Sequence, residues 1–578
     1  MFADVKQYDK IGIISNNRWE WVAISAAAHS LNATLVPMYE AQLPKDWTYI
    51  LNDSQCSALM CASQEIYEKV MSESIEDVPS LQKDSVLCFD ASLAQEHAFA
   101  TFLDRTEAIK SQSIMSQLPQ PEDLANLVYT SGTTGVPKGV ELTHNNIVSN
   151  VMGVRTTVSN PHDFIRQTDR SLAFLPWAHS YGQTCELWCS MAHGGSMGIC
   201  RGVPSILEDL QLVQPTVLFS VPTLYKKIYD GVNNLIASSN PIRRGLMNQA
   251  IDVGKASVKA KQNNASLSFV KQKQYDILDK IVLDKIRAKF GGRLRHAFVA
   301  GAACPREIIE FMDAINIAVY EGYGLTETSP IICINSPDKR KVGAVGYPIG
   351  GVTVCILGEH GNVLEFDEEG EICCYGPNVM KGYYNKPNET SEVISIAPDG
   401  HSRLFHSGDL GKMSEDGFIY VTGRIKEQYK LENGKYVCPT PVEEAIGMSR
   451  FIMQIVLVGA NRPSNVALLV PDFCAIRSNL NVDDSVSEED LVNDVRVKSL
   501  IDAEIELNCL HAKIKKFEIP TAWSIVAPFT VANNMLTPKM SIRRHMVVKS
   551  YQDVIAQMYG DSGDNKAEDS SVDTEIVA

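Results

Sequence analysis

Tyr129-Thr130-Ser131-Gly132-Thr133-Thr134-Gly135-Val136-Pro137-Lys138-Gly139-Val140 is the stretch on which the fold turns. Four hydroxyl residues, three glycines and a lysine fall within the ten positions 130–139. Glycines let backbone N–H groups turn inward toward phosphate oxygens, hydroxyls add donors, and Lys138 adds a mobile positive charge. The loop follows the apolar run 123–129, which reads as a strand, so it belongs at the C-terminal edge of a sheet, where ligands bind. It is not a Walker loop, because Lys138 follows Pro137 and precedes Gly139.

Working outward from the loop, the same rhythm recurs. Residues 10–15 read as a short buried strand, 19–31 as a helix and Thr34–Met38 as a strand, with a helix expected over 145–154 and strands over 170–175 and 217–221. Strand, helix, strand is the signature of an α/β domain with a parallel-rich sheet. Residues 242–290 are polar, rich in lysine and nearly free of Gly and Pro. Within them Leu278, Val282 and Ile286, flanked by Ile277, Ile281 and Phe290, form an amphipathic stripe that predicts a surface helix docked on the core. From 346 to 420 the pattern shifts to short β runs at 353–357, 370–375 and 417–421, a β-rich subdomain. After Arg424 a new α+β stretch begins, with segments at 442–448, 455–459, 466–470 and 495–510. The expected organisation is therefore a large N-terminal domain over 1–423, a small mobile C-terminal domain over 424–560, and an acidic tail over 561–578. That tail carries six acidic residues and one lysine and is expected to be disordered.

Composition narrows the function. The chain has 578 residues, 45% hydrophobic, enough for more than one core. A formal net charge of −16 argues against a global nucleic-acid-binding surface. The 14 cysteines are scattered without a CxxC pair, which favours a reduced compartment over a disulfide scaffold and gives no support to a zinc site. No apolar h-region opens the chain and no apolar run reaches the length of a membrane span. Intracellular placement is expected, cytoplasmic or peripheral on an organelle membrane such as the endoplasmic reticulum.

Three further motifs follow in order. Leu175-Pro176-Trp177-Ala178-His179-Ser180-Tyr181-Gly182 is weak by itself, since a lone histidine is usually structural. Tyr320-Glu321-Gly322-Tyr323-Gly324-Leu325-Thr326-Glu327-Thr328 sets an aromatic between two glycines, a stacking face with open backbone on both sides, which suits adenine. In it Glu327 offers oxygen to a hard cation such as Mg2+ that bridges phosphates, and Thr326 a donor to the α-phosphate. Ser407-Gly408-Asp409 precedes Tyr420-Val421-Thr422-Gly423-Arg424-Ile425-Lys426-Glu427, which supplies a bidentate acceptor and a cluster of cations.

Together these motifs resemble the adenylate-forming superfamily, which includes acyl-CoA synthetases, luciferases and peptide-synthetase adenylation domains. The resemblance implies that Thr130, Ser131, Gly132, Thr133, Thr134, Gly135 and Lys138 form the phosphate loop. Tyr323 would stack on adenine within Glu321, Gly322 and Gly324, with Gly301 and Ala302 forming the other wall. Asp409 would bind the ribose hydroxyls, and Arg424 and Lys430 would contact the nucleotide. Lys426 would be the hinge on which the C-terminal domain rotates. His179 and Trp177 would border the acyl pocket, Trp177 lining or gating it. Near the C-terminus the family's catalytic lysine usually stands three residues before a basic residue. Counted back from Arg544, that position is Ser541, and the lysine present is Lys539, two residues early, so Lys539 is the expected catalytic group. Arg543, Arg544 and Lys435 are candidates for coenzyme A phosphates on charge alone. Relatives carry some tens of residues before the first strand, whereas nine precede it here, so a trimmed N-terminal subdomain is expected.

The LPWAHSYGQ segment and the lysine-rich insertion at 242–290 resemble the long-chain fatty acid–CoA ligases. The resemblance implies ATP, Mg2+ and coenzyme A, a fatty acid activated first as acyl-AMP, and peripheral membrane contact through basic residues between 255 and 289. Two alternatives stay open. The enzyme could stop at acyl-AMP or pass the acyl group to a carrier-protein thiol, or the chain could be a catalytically weak nucleotide- or lipid-binding homologue.

Overall fold

The computed structural model describes residues 5–106, 118–131, 136–159, 164–263, 265–537 and 540–560. The chain divides into two compact units, Met1–Ile425 and Lys426–Ala578.

Among the described residues, the first unit holds three large sheets and a two-stranded parallel one, Arg170–Ala173 with Ser196–Ile199. A seven-stranded sheet runs in the order Gly382–Tyr383, Pro137–Thr143, Leu124–Ser131, Thr34–Met38, Lys10–Ile14, Ala58–Cys61, Val86–Cys88. Its last five strands are parallel. Thr34–Met38 is buried at every position and Lys10–Ile14 at all but its first, as strands covered on both faces must be. A five-stranded sheet places Val217–Ser220, His296–Val299 and Ala318–Gly324 in parallel, then adds Ile331–Ile334 and Tyr347–Pro348 antiparallel. The third sheet is wholly antiparallel, from Thr353–Leu357 through Gly370–Tyr375 and Arg403–Met413 to Ile394–Ile396 and Ile419–Arg424. The large domain is thus α/β with a β-rich part, as its sequence pattern indicates.

Two local expectations change. The phosphate-loop segment does not lead from strand straight into helix. Leu124–Ser131 and Pro137–Thr143 pair antiparallel, with Thr130 opposite Lys138, and only then does helix His144–Thr156 begin. The second strand carries Val140 and Leu142 inward at period two, a signal hidden by the glycines before it. In the lysine-rich segment there are two long pieces, Pro241–Gln262 and Phe269–Leu278, and the second continues through a π turn, Asp279–Leu283. Leu278, Val282, Ile286 and Phe290 are buried as the stripe demands, and the widened turn buries Leu283 as well. Ile277 and Ile281 face solvent.

The second unit is α+β. Ile452–Val458, Val466–Pro471 and Ala522–Ile525 form a three-stranded sheet, antiparallel then parallel. Helices Pro439–Ile446 and Val495–His511 bury Val442, Ile446, Val497 and Ile501 in the same core as Leu457 and Leu469. Among the described residues no helix is long and apolar enough to cross a membrane.

Candidate active site

The Ala318–Gly324 strand is the spine of the site. Its parallel neighbour His296–Val299 ends in the exposed residues Gly301 and Ala302, so both chain ends emerge on one side of the sheet. After Gly324 the chain folds back tightly. A Cβ at Gly324 would run into the Pro330 carbonyl, so only glycine fits there. The turn Thr326–Thr328 follows, pinned by the fully buried Asn150, which takes the Ile331 N–H at 3.2 Å and donates to the Ile331 and Thr328 carbonyls at 2.8 and 3.2 Å.

One end of the spine presents an acidic and aromatic cluster. The Tyr323 hydroxyl donates to Asp409 Oδ2 at 2.7 Å, and Arg424 Nε lies 3.0 Å from Asp409 Oδ1. Asp409 and Arg424 are register partners on adjacent antiparallel strands, and Asp409 is almost fully buried. Gly408, at φ +70°, makes the bend that turns the chain into Asp409. Burial, with the Asp409 charge beside it, pushes the Tyr323 phenol far up, so it remains a donor. Glu321, two residues before Tyr323, is a different case. Its Oε2 accepts from the Gly343 N–H at 3.0 Å, and burial pushes its carboxyl up to about 7.

The other end carries Glu327 and Thr326. Tyr383 donates to Glu327 Oε1 at 2.9 Å, and the Lys138 ammonium sits 5.0 Å from the centre of the Tyr383 ring. Burial and the neighbouring Glu327 push the Tyr383 phenol up, keeping its proton on the bond. A half-buried carboxylate beside a threonine hydroxyl is a hard oxygen set. It fits Mg2+, which takes one or two protein carboxylates and fills its remaining positions with phosphate oxygen and water. The stems of the phosphate loop are fixed from below: Tyr129 donates to Asp53 at 2.6 Å and Tyr49 to the Pro137 carbonyl at 3.1 Å. Gly132, Thr133, Thr134 and Gly135 lie outside the described residues, and Ser131 is described in its backbone alone.

The 175–182 segment joins the spine through Ser180, whose hydroxyl is 3.1 Å from that of Thr326. His179 Nδ1 accepts from the Tyr181 N–H at 3.1 Å, which sets the ring by its own turn. Trp177 is a correction to the gating role alone. It is 2% exposed and its ring packs on Trp21, 5.6 Å centre to centre, in a core with Ile13 and Leu35. A gate needs a ring that is free to swing, and this one is held by core packing.

In the second unit, Lys426 and Lys430 are exposed, the latter with its ammonium 5.4 Å from the Tyr436 ring centre. Lys435 is exposed and lies over Phe517. Arg543 donates to Asn534 at 2.6 Å. Arg544 is the second correction. It clamps Glu443 with both terminal nitrogens at 2.7 Å and donates to the Leu457 carbonyl at 2.8 Å. Burial works against its charge, but Glu443 outweighs burial and holds the guanidinium above its ordinary value. A guanidinium so engaged is a structural clamp, not an open phosphate ligand. Ser541 sits in a hairpin turn, its N–H on the Thr537 hydroxyl at 3.1 Å. Lys539 lies outside the described residues.

Tyr383, Ser180 and Asn150 were not singled out by sequence reasoning. Each meets its partner across at least 56 positions, and no local spacing announces such a pair.

Comparison with known proteins shows the family of the chain. The family described as AMP-binding enzyme matches residues 2–384, and the AMP-binding enzyme C-terminal domain matches 426–563. Peroxisomal long chain acyl-CoA synthetase 7 of Arabidopsis thaliana is 29% identical, over 97% of this chain and 79% of its own. Long-chain-fatty-acid–CoA ligase 5 of Rattus norvegicus is also 29% identical, over 95% and 80%. Among solved structures, the adenylation domain of a carboxylate reductase from Mycobacterium chelonae superposes with a TM-score of 0.72 at 21% identity, over 97% of this chain and 82% of that one. ATP-bound MatB from Rhodopseudomonas palustris gives 0.66 at 21%, over 95% and 90%.

Proposed function

The chain belongs to the AMP-binding enzyme family, and from that premise we propose that it is a long-chain fatty acid–CoA ligase. The observation that carries the reading is that one segment, residues 320–328, joins two polar clusters, one at each of its ends. Tyr323 reaches Asp409 and Arg424 at the end suited to adenosine, while Thr326 and Glu327 meet Ser180 and Tyr383 at the end suited to phosphate and acid.

In this reading a carboxylate oxygen of the acid attacks the α-phosphorus of ATP, and pyrophosphate leaves. The product is acyl-AMP. The thiol of coenzyme A, having lost its proton, then attacks the acyl carbonyl and AMP leaves. Asp409 holds the ribose hydroxyls, with Arg424 and Tyr323 fixing both of its oxygens. Thr326 and Lys138 donate to phosphate oxygens where negative charge grows, and such preorganised donors account for much of the catalysis in phosphoryl-type transfers. Glu327, oriented by Tyr383, would hold Mg2+, which when bound neutralises phosphate charge. Lys539 is the candidate catalytic group of the adenylation step, and Lys426 the candidate hinge for the change to the thiol step. The long-chain choice rests on the names of relatives such as those from Arabidopsis and rat. Peripheral membrane contact fits such a substrate, and the exposed Phe269 and Val270 beside Lys271 and Lys273 suit a lipid surface.

The test is AMP release coupled to acids from acetate to oleate, with and without coenzyme A. Release that peaks at long chains and yields acyl-CoA supports the reading. AMP or pyrophosphate without acyl-CoA favours transfer to a carrier thiol, and no acid-dependent release with any chain length rejects an acyl-activating enzyme.

A further inference from the structure

On the antiparallel sheet that carries Asp409, three side chains of different chemistry converge. Glu371 and Cys373 are two apart on the Gly370–Tyr375 strand and so share a face. His406, on the neighbouring Arg403–Met413 strand, is the register partner of Cys373. The ligand atoms of all three lie within 4.8 Å of one another. His406 Nδ1 is 2.9 Å from Glu371 Oε2 and 3.5 Å from Cys373 Sγ. Neither the phosphate chemistry nor the hinge uses them.

We propose that Glu371, Cys373 and His406 form a binding site for a borderline divalent transition cation of the zinc class. The donor set is one thiolate, one imidazole and one carboxylate, which such ions prefer and which Mg2+ and Ca2+ do not. The spacing fits. Tetrahedral bonds of about 2.3 Å to sulfur and about 2.0 Å to nitrogen separate those two atoms by roughly 3.5 Å, the distance seen between Cys373 and His406. Nitrogen and oxygen would stand roughly 3.3 Å apart on the same geometry, so the Glu371–His406 contact opens by a few tenths of an ångström.

The surroundings are arranged for it. Ser395 Oγ lies 2.8 Å from His406 Nε2. A hydroxyl can donate or accept, so it supports the ring with its proton on either nitrogen. When Nδ1 takes a cation, Nε2–H donates to Ser395, which orients the ligand. The second Glu371 oxygen accepts from the Gly408 N–H at 2.9 Å, which fixes the carboxylate. Burial and the Glu371 charge push the Cys373 thiol up, so without a cation it stays protonated; a dication supplies the charge that releases that proton. Cys373 is fully buried, while the His406 and Glu371 side chains are 26% and 21% exposed. Solvent therefore reaches one side, leaving a fourth position for water. Gly408, which holds Glu371, is the residue before Asp409 on the chain.

The test uses the full reduced chain, stripped with chelator, without nucleotide, titrated with Co2+ as probe. A thiolate ligand gives cobalt a near-ultraviolet charge-transfer absorption that oxygen ligands at the nucleotide site cannot give. One equivalent of Co2+ should raise this band, and Zn2+ should bleach it by displacement. Cys373→Ser should abolish it. His406→Gln, on the exposed side and so tolerated by the fold, should weaken Co2+ binding at least ~10-fold. Cys474→Ser, at the exposed cysteine of the second unit, should leave the band intact. A band that survives Cys373→Ser, that His406→Gln leaves unweakened, or that never forms at equimolar Co2+ overturns the proposal, whatever the enzyme activates.

Discussion

The Tyr383 hydroxyl donates to Glu327 Oε1 at 2.9 Å, across 56 positions of sequence, while the Lys138 ammonium lies 5.0 Å from the centre of the same ring. One phenol thus spaces the phosphate-loop lysine from the carboxylate assigned to Mg2+ and keeps that carboxylate aimed. Tyr383→Phe removes the hydrogen bond and keeps the ring. A bond to a charged acceptor contributes about 1.5–3 kcal/mol, so the Mg2+ concentration for half-maximal adenylation should rise ~10–150-fold. An unchanged Mg2+ dependence in initial rates would remove Tyr383 from the site.

Asp409 is held by two donors, Tyr323 and Arg424. Asp409→Asn keeps the shape and loses the charge and one acceptor. Two ribose hydroxyls bound by charge-assisted bonds predict a rise in KM for ATP of ~10–100-fold, with KM for the acid little altered. A rise in the acid's KM instead would place Asp409 at the wrong substrate.

Glu321 gives a pH signature. In the folded protein its carboxyl is pushed up to about 7 by burial, from an ordinary 4.5. Between those values the folded state holds a proton that the unfolded chain has released, so stability falls as pH rises through this window, by at most ~3 kcal/mol. Glu321→Gln keeps an acceptor for the Gly343 N–H and removes the titration. Its melting temperature should exceed that of the parent at pH 8, and the gap should shrink toward pH 5. An equal gap at both values would show that Glu321 does not titrate in this window.

Arg544 separates a structural role from a coenzyme A role. Truncation to alanine strands Glu443, which then keeps only the Leu457 N–H. Breaking such a half-buried pair should cost the second unit about 3 kcal/mol, read as lost hydrogen-exchange protection in helix Pro439–Ile446. KM for coenzyme A should stay within ~2-fold, since no phosphate contact is lost. A large rise in that KM with protection intact would restore the coenzyme A assignment.

Lys539 is tested by splitting the reaction. Lys539→Ala should slow acid-dependent pyrophosphate exchange by at least ~100-fold, the scale for loss of one preorganised charge at a transition state. Thioester formation from added acyl-AMP should be largely retained. Unchanged exchange would show that Lys539 is not the catalytic group.

The sequence by itself determined the class of fold and named the residues proposed for the nucleotide. Strands such as Thr34–Met38 and Thr353–Leu357 announce themselves because burial enforces an apolar pattern along a few consecutive positions. The 320–328 segment is legible for a similar reason: its chemistry is packed into nine neighbouring residues. Only the tertiary structure decided what depends on pairing between distant strands. It paired the strands on either side of the phosphate loop antiparallel, set Arg424 opposite Asp409 and brought Tyr383 to Glu327. It also gathered Glu371, Cys373 and His406, which as a sequence show no ligand spacing. The same pairing withdrew Trp177 into the core and Arg544 onto Glu443. Side-chain type and local spacing say what a residue can do. Whether it is free to do it depends on which partner the folded chain places within about 3 Å of it, the range of a hydrogen bond, and local sequence does not encode that distance.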